Sequence, residues 1–250
     1  MKAFARTDRG MMRPSNQDSL YASTVPVGHM PNLFMVADGM GGHLAGDYAS
    51  SYLVNHLVEE IDNSRDEECA RIISGTISGV NEEIYRLSSE NAEYSGMGST
   101  LVAAWVSDGV LYAANIGDSR LYLIRDGHAI QVTRDHSYVE EMVERGRMRR
   151  GSAEYERSKN IITRAVGIDS EVSADFFEVA LKPGDRFLLC SDGLSNMVGN
   201  EEIGRIAGAD GDLSELTQKL INKANRNGGR DNISVVLADP EISEVIRHDA

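Results

Sequence analysis

Asn32-Leu33-Phe34-Met35-Val36-Ala37-Asp38-Gly39-Met40-Gly41-Gly42-His43 sets five apolar residues in a row ahead of one aspartate and three glycines. The pattern predicts a buried strand that ends abruptly at Asp38 and delivers its carboxylate to a tight loop. A carboxylate at the rim of an apolar core carries a large desolvation cost unless a cation or several donors meet it. Asp38 therefore needs a partner from elsewhere in the chain.

Three other aspartates stand in related settings. Gly184-Asp185-Arg186-Phe187-Leu188-Leu189-Cys190-Ser191-Asp192-Gly193 repeats the order of apolar strand, Asp, Gly. In Gly117-Asp118-Ser119-Arg120, Asp118 again follows an apolar strand and a glycine, a sequence that also serves as ordinary turn chemistry. Gly228-Gly229-Arg230-Asp231-Asn232 runs directly into the strand Ile233 to Leu237.

The segments between them predict the frame. Residues 2 to 8 and Ser19 to Ser23 read as strands, joined by a turn that carries Arg13, either a surface arginine or a bidentate phosphate ligand. His43 to Asp62 and Asp66 to Ala92 read as helices with one apolar face, so both are expected to lie against a sheet. Short β runs follow at Thr100 to Val106, Val110 to Asn115, Leu121 to Arg125 and His128 to Val132; their Asp-Gly turns signal antiparallel hairpins. Ser137 to about Arg150 reads as a charged helix ending in Arg145, Arg147, Arg149 and Arg150, a cluster expected to be a solvated loop rather than a docking patch. Asn160 to Gly167 returns to the core, Val172 to Ala180 is a further strand, and Glu201 to Ala209 and Leu213 to Asn225 are helices. Residues 241 to 250 are expected to be a polar, frayed tail.

Composition narrows the setting. With 250 residues and 41% hydrophobic content, the chain is expected to form one domain over residues 1 to 240. No run approaches the roughly 20 apolar residues of a membrane span, and the start is not signal-like, so no membrane association and a cytoplasmic setting are expected. Cys69 and Cys190 lack any ligand spacing and argue against a disulfide scaffold or structural zinc. A formal charge of −14 opposes nucleic-acid binding and implies that an anionic substrate is held by local cations.

In an antiparallel sheet the end of one strand and the start of its neighbour share an edge, so Asp38, Asp118, Asp192 and Asp231 can converge. Four carboxylates at one rim repel unless divalent cations neutralise them. All-oxygen ligands select hard ions, magnesium or manganese, and the glycines leave a carbonyl such as that of Gly39 free to ligate as well. Structural calcium is the alternative, but the local D-x-D-x-D spacing of an EF-hand is missing.

Arg13-Pro14-Ser15-Asn16-Gln17-Asp18, Asp38-Gly39-Met40-Gly41-Gly42-His43, Gly98-Ser99-Thr100, Gly117-Asp118-Ser119-Arg120, Ser191-Asp192-Gly193-Leu194 and Asp231-Asn232-Ile233 occur in that order. Together they resemble the motif set of the metal-dependent, type 2C-like (PPM) serine/threonine protein phosphatases, bacterial branch, over about residues 3 to 238. The resemblance implies an α+β fold: a four-layer α-β-β-α sandwich, two antiparallel sheets flanked by helix pairs. It implies a centre of two to three Mn2+ or Mg2+ ions, with Asp38 bridging two, the Gly39 carbonyl on one, and Asp192 and Asp231 completing the other. Asp118, with Asp192, would hold a weaker third ion, Arg13 the substrate phosphate, and residues 137–160 would form a flap beside the site.

The chemistry then implied is hydrolysis of phosphoserine or phosphothreonine by water activated between two cations about 4 Å apart, without a covalent intermediate. Implied partners are phosphorylated proteins, among them a bacterial serine/threonine kinase and its substrates, with the chain acting as a monomer. Two positions depart from the wider family pattern. Gln17 stands where many members have Glu, and Met40 where the eukaryotic branch has a histidine proposed as general acid; His43 and His136 are read as structural. A dedicated phosphatase of one phospho-switch protein, a silent metal-binding interaction module and a two-metal phosphodiesterase are the competing readings, and the complete set of aspartates with Arg13 speaks against the silent module.

Overall fold

In the computed structural model, which describes residues 1–42 and 45–242, the apolar run forms β3 (Leu33–Met40) and faces two cores at once. Phe34 and Val36 pack in a central core, whereas Leu33, Met35 and Ala37 pack in an outer one. An antiparallel strand buried on one face alternates apolar and polar; burial on both faces is why this one does not.

Two antiparallel sheets make the centre. One orders β1 (Lys2–Asp8), β11 (Ile233–Asp239), β10 (Arg186–Cys190), β7 (Arg120–Arg125) and β8 (His128–Gln131). The other orders β2 (Asp18–Ser23), β3, β5 (Leu101–Ser107), β6 (Val110–Ile116) and β9 (Asp175–Ala180), with the two-residue β4 (Gly98–Ser99) added to the end of β3. Between the sheets, Phe34 meets Phe187 edge to face at 5.3 Å, beside Val102, Leu121, Leu189 and Val236. Helices α1 (Ala45–Asn63) and α2 (Cys69–Glu90) cover the outer face of the second sheet through Leu53, Leu57, Ile73, Ile77 and Ile84. Helices α6 (Asn200–Ala207) and α7 (Leu213–Arg226) cover the first through Ile203, Leu216, Leu220 and Ile221. The result is the α-β-β-α sandwich, each layer burying one face of the next. Among the described residues no helix is long and apolar enough to cross a membrane.

Several boundaries differ from the sequence reading. β3 does not stop at Asp38 but runs to Met40, because β2 and β4 supply partners for its last residues. The strand before Asp192 ends at Cys190, and Asp192 opens a one-turn helix, α5 (Asp192–Ser195). The charged helix expected to reach Arg150 ends at Glu144 (α3, Tyr138–Glu144), and a second short helix, α4 (Ala153–Ser158), follows it. Of the arginines between them, Arg150 is ion-paired to the buried Glu140 and Arg145 to its helix neighbour Glu141, and all four of the cluster remain exposed, as expected. The strand expected from Val172 begins only at Asp175, where β6 begins to pair. His43, Leu44 and residues 243–250 of the expected tail lie outside the described residues.

One ion pair ties β7 to the turn before β10. Arg125 binds Asp185 through both forks, Nε to Oδ1 at 2.9 Å and Nη2 to Oδ2 at 2.6 Å, and the Lys182 amide donates to Oδ2. Burial alone would raise this carboxyl, but hydrogen bonds from Arg125 and Lys182 outweigh it and hold the group below its ordinary value. A depressed carboxyl stabilises the fold above its unfolded pKa and loses that contribution as pH falls through the folded one. Asp185→Asn is therefore expected to cost about 1–3 kcal/mol at pH 7, with the gap from wild type narrowing below about pH 4, read by urea denaturation at both pH values.

Candidate active site

The site lies where the two sheets end together, and its parts are fixed through backbone rather than through carboxylates. Asn232 is the main clamp. Its Nδ2 donates to the carbonyls of Arg9 and Ser15, both at 2.9 Å, and its Oδ1 accepts from the Gln17 amide at 2.9 Å. The loop carrying Arg13 is thereby held on the loop carrying Asp231. Thr100 does the same for Asp38: its hydroxyl accepts from the Asp38 amide at 2.9 Å, its own amide donates to the Asp38 carbonyl, and its hydroxyl meets that of Ser119 at 2.7 Å. Ser119 adjoins Asp118, so one threonine links the positions of two acids.

The glycines following Asp38 and Asp192 serve close approach. A Cβ on Gly39 would lie 2.0 Å from the Gly46 carbonyl oxygen, and one on Gly193 1.9 Å from that of Asn232. Neither distance is compatible with a side chain. The Asp-Gly pairs thus bring α1 against β3, and α5 against the Asp231 loop.

Arg13, Asp38, Gly39, Asp118, Asp192 and Asp231, all singled out from sequence, line one cavity of about 270 Å³ with Gln17, Met40, Thr100 and Asn160. The strand ends thus bring the four acids to one cavity. The acids are not drawn up as a closed ligand set, however: among the described residues no three His, Cys, Asp or Glu side chains stand as a ready coordination group. Asp231 is engaged by Arg13, Nη2 to Oδ2 at 2.7 Å, and by the Asn232 amide at Oδ1. One Asp192 oxygen accepts from Asn196 Nδ2 at 2.9 Å. Asp118 and Asp192 also line a second cavity with Arg120, Tyr155 and Lys159, on the α3–α4 side.

Asp18 is the acid to which the sequence reading gave no role. It stands directly opposite Asp38 in the β2–β3 register, is buried, and accepts from Ser191 Oγ at 2.8 Å. Its position at the start of a strand paired with that of Asp38 is the signal that would have found it. Ser191 was likewise unassigned, although its hydroxyl also accepts from the Ser234 amide and so sets the β10–β11 register beside Asp192. His136 accepts from the Gly117 amide through Nδ1 and lies 3.1 Å from Asp175 through Nε2, away from the cavity.

The electrostatics call for a cation. Burial, and then the charges of Asp18, Asp192, Asp118 and Asp231, hold the Asp38 carboxyl well above its ordinary range. Burial is also the largest cause for Asp118, pushed up to about 8, Asp18, to about 7, and Asp192, to about 6, with neighbouring carboxylates adding to each. Oδ1 of Asp18 and Oδ1 of Asp192 are buried with no hydrogen-bond partner. Hard, all-oxygen donors with unmet negative charge fit Mg2+ or Mn2+, and Mg2+ commonly takes only one or two protein carboxylates and keeps its waters, so a closed protein cage is not required. Manganese in excess is accordingly expected to raise the thermal midpoint, by about 2.7 kcal/mol of stability at 100 times its Kd. Asp38→Asn should remove most of that gain, and Gly193→Ala should reduce it by displacing α5, both read by calorimetry.

Comparison with known proteins adds an independent line. A family model described as Protein phosphatase 2C matches residues 27–233. The chain is 39% identical over 248 residues to the serine/threonine phosphatase stp of Listeria monocytogenes serotype 4b, covering 98% of each. Its fold superimposes on the Streptococcus agalactiae serine/threonine phosphatase with a TM-score of 0.87 at 34% identity, covering 94% of this chain and 98% of that one. It is also similar, with a TM-score of 0.82 at 35% identity over 95% and 97% of the two chains, to the catalytic domain of the serine/threonine phosphatase PstP solved with two manganese ions.

Proposed function

The chain belongs to the protein phosphatase 2C family and is a serine/threonine phosphatase; we propose that it depends on manganese or magnesium and hydrolyses phosphoserine and phosphothreonine directly with water at the Asp38 cavity. The observation that carries this reading is one cavity lined by Asp38, Asp118, Asp192 and Asp231 together with a single guanidinium, Arg13. Asp38, the Gly39 carbonyl, Asp192 and Asp231 would hold two ions, and Asp118 with Asp192 a third. Bound, these ions supply charge neutralisation and an acidified water.

The protein's own groups do the rest. Arg13 reaches Asp231 across the cavity mouth, and its planar fork suits two phosphate oxygens as well as one carboxylate. Asp38, on the last turn of ladder in β3, orients the attacking water. Among the described residues, no hydroxyl or thiol at the site is free to act as nucleophile in place of water. The Thr100 hydroxyl is committed to the Asp38 amide and Ser119, and Cys190 is buried with its thiol pushed up to about 12 by that burial. Residues 137–160, with Tyr155 and Lys159 on the second cavity, would act as the flap. Phosphorylated proteins are the substrates of such an enzyme; a serine/threonine kinase and its targets are the proposed partners, with the chain acting as a monomer.

Hydrolysis of p-nitrophenyl phosphate and of a phosphothreonine peptide with manganese tests the reading. Turnover is expected to vanish with chelation and to fall at least about 10²-fold in Asp192→Asn, while Arg13→Ala lowers kcat/KM about 10²-fold. Manganese binding without turnover of either compound would refute it. In Gln17→Glu, a restored charge at the cavity wall is expected to tighten manganese binding, measured by titration calorimetry.

A further inference from the structure

We propose that the rim of the Asp38 cavity carries an apolar lip, formed by Met11 and Met12 on one side and Ile161 on the other, that seats apolar side chains flanking the phosphorylated residue of a substrate protein. The inference rests on the phosphatase reading above and concerns how that same site chooses among phosphoproteins.

Exposed apolar side chains scattered singly are normal on a protein surface and need no explanation. These three are placed differently. Met11 and Met12 are 66% and 71% exposed and immediately precede Arg13; Ile161 is 53% exposed and lies between Asn160 and Ile162. Arg13, Asn160 and Ile162 all line the cavity. Large apolar groups left in water are therefore next in sequence to residues of the cavity wall in two segments far apart in the chain.

Both segments are tethered. The amides of Met11 and Met12 donate to the Gly229 carbonyl at 2.7 and 3.2 Å, two residues from Asp231. Gly10, with φ +77°, lies so close to that loop that a Cβ would fall 2.2 Å from the Asp231 carbonyl oxygen. Across the cavity, Ile161 accepts from the Tyr138 amide at 2.8 Å and donates to the Ser158 carbonyl at 3.1 Å. The backbone of the lip is fixed while the methionine side chains remain adaptable, a combination that accepts aliphatic groups of varied shape.

The occupant follows from continuity with the cavity. A phosphorylated residue whose phosphate enters it must place its neighbours, spaced about 3.3 Å per residue in an extended chain, across the rim. At a net charge of −14 the protein as a whole repels acidic flanks, and Met11, Met12 and Ile161 carry no charge to pair with a basic one, so the contact these three side chains offer is apolar. The preferred substrate is thus a phosphothreonine or phosphoserine with aliphatic or aromatic residues within about two positions on either side.

Two phosphothreonine peptides differing only in leucine or serine on both sides of the phosphoresidue test this, with p-nitrophenyl phosphate as a compound without flanks and manganese throughout. Wild type is expected to favour the leucine peptide about five-fold through KM, as burial of about 40 Å² of apolar surface supplies. Met12→Ser and Ile161→Ser combined should bring the ratio near one and leave p-nitrophenyl phosphate turnover unchanged; Met12→Gln should act in the same direction as Met12→Ser. A ratio near one in wild type, or a ratio surviving in the double variant, overturns the lip. So does an unchanged ratio with a smaller sedimenting species in the variant, which would make the patch a contact between copies of the chain. Failure of wild type to turn over p-nitrophenyl phosphate overturns the phosphatase reading instead.

Discussion

Asp38, Asp118, Asp192 and Asp231 line one cleft, with Asp18 buried opposite Asp38, and the mutual repulsion of the five is the constraint that the surrounding structure answers. Two like charges about 5 Å apart repel by about 3 kcal/mol at an effective dielectric near 20. A handful of such pairs rivals the whole stability of an ordinary domain. The fold does not relieve this by bonding the acids fully. Asn232, Thr100 and Ser191 are neutral, and apart from the bonds from Ser191 to Asp18 and between Thr100 and Ser119 they spend their hydrogen bonds on main-chain groups. Oδ1 of Asp18 and Oδ1 of Asp192 are left with no hydrogen-bond partner, so their charge is not met within the protein. Among the described residues, Arg13 on Asp231 is the one full counter-charge at the cavity wall, and its planar fork is shaped for a phosphate.

Holding such a cluster requires a stiff frame, which the double-sided burial of β3, β10 and β11 provides. In each, successive side chains enter different cores: Phe187 and Leu189 pack between the sheets, and Leu188 and Cys190 under α6 and α7. A rotation or slip of any of these strands would expose one set while burying nothing in return. The acids at their ends inherit that rigidity, and the Asp-Gly steps convert it into contact between adjacent loops.

The frame and most of the cavity were legible because both follow from strong local signals. Uninterrupted apolar runs ending in Asp, and Asp-Gly hairpin turns, locate the strands, and antiparallel pairing then brings strand ends together. Asp18 escaped because its importance lies in register: only pairing of β2 with β3 sets it opposite Asp38. Asn232 and Thr100 escaped for a similar reason, since their partners are main-chain groups up to 223 residues away and carry no side-chain signature. The helix over the arginine-rich segment was overextended because its charged composition suits helix and loop alike, and the ion pair between Arg150 and Glu140 that folds the segment back is a tertiary event.

β1 and β11 lie side by side, with Lys2 opposite Asp239, so the first and last strands of the fold are neighbours in its first sheet. The cavity draws Arg13 from the loop after one and Asp231 from the loop before the other. During synthesis, the early strands and helices emerge and collapse while β11 is still inside the ribosome, and β1 has no ladder partner until it arrives. The nascent chain is therefore without the complete cavity until nearly all of the domain has been translated. The cavity is completed by the closing of the last seam, and a chain truncated before Asp231 would lack both an acid of the cavity and the strand that anchors the arginine loop.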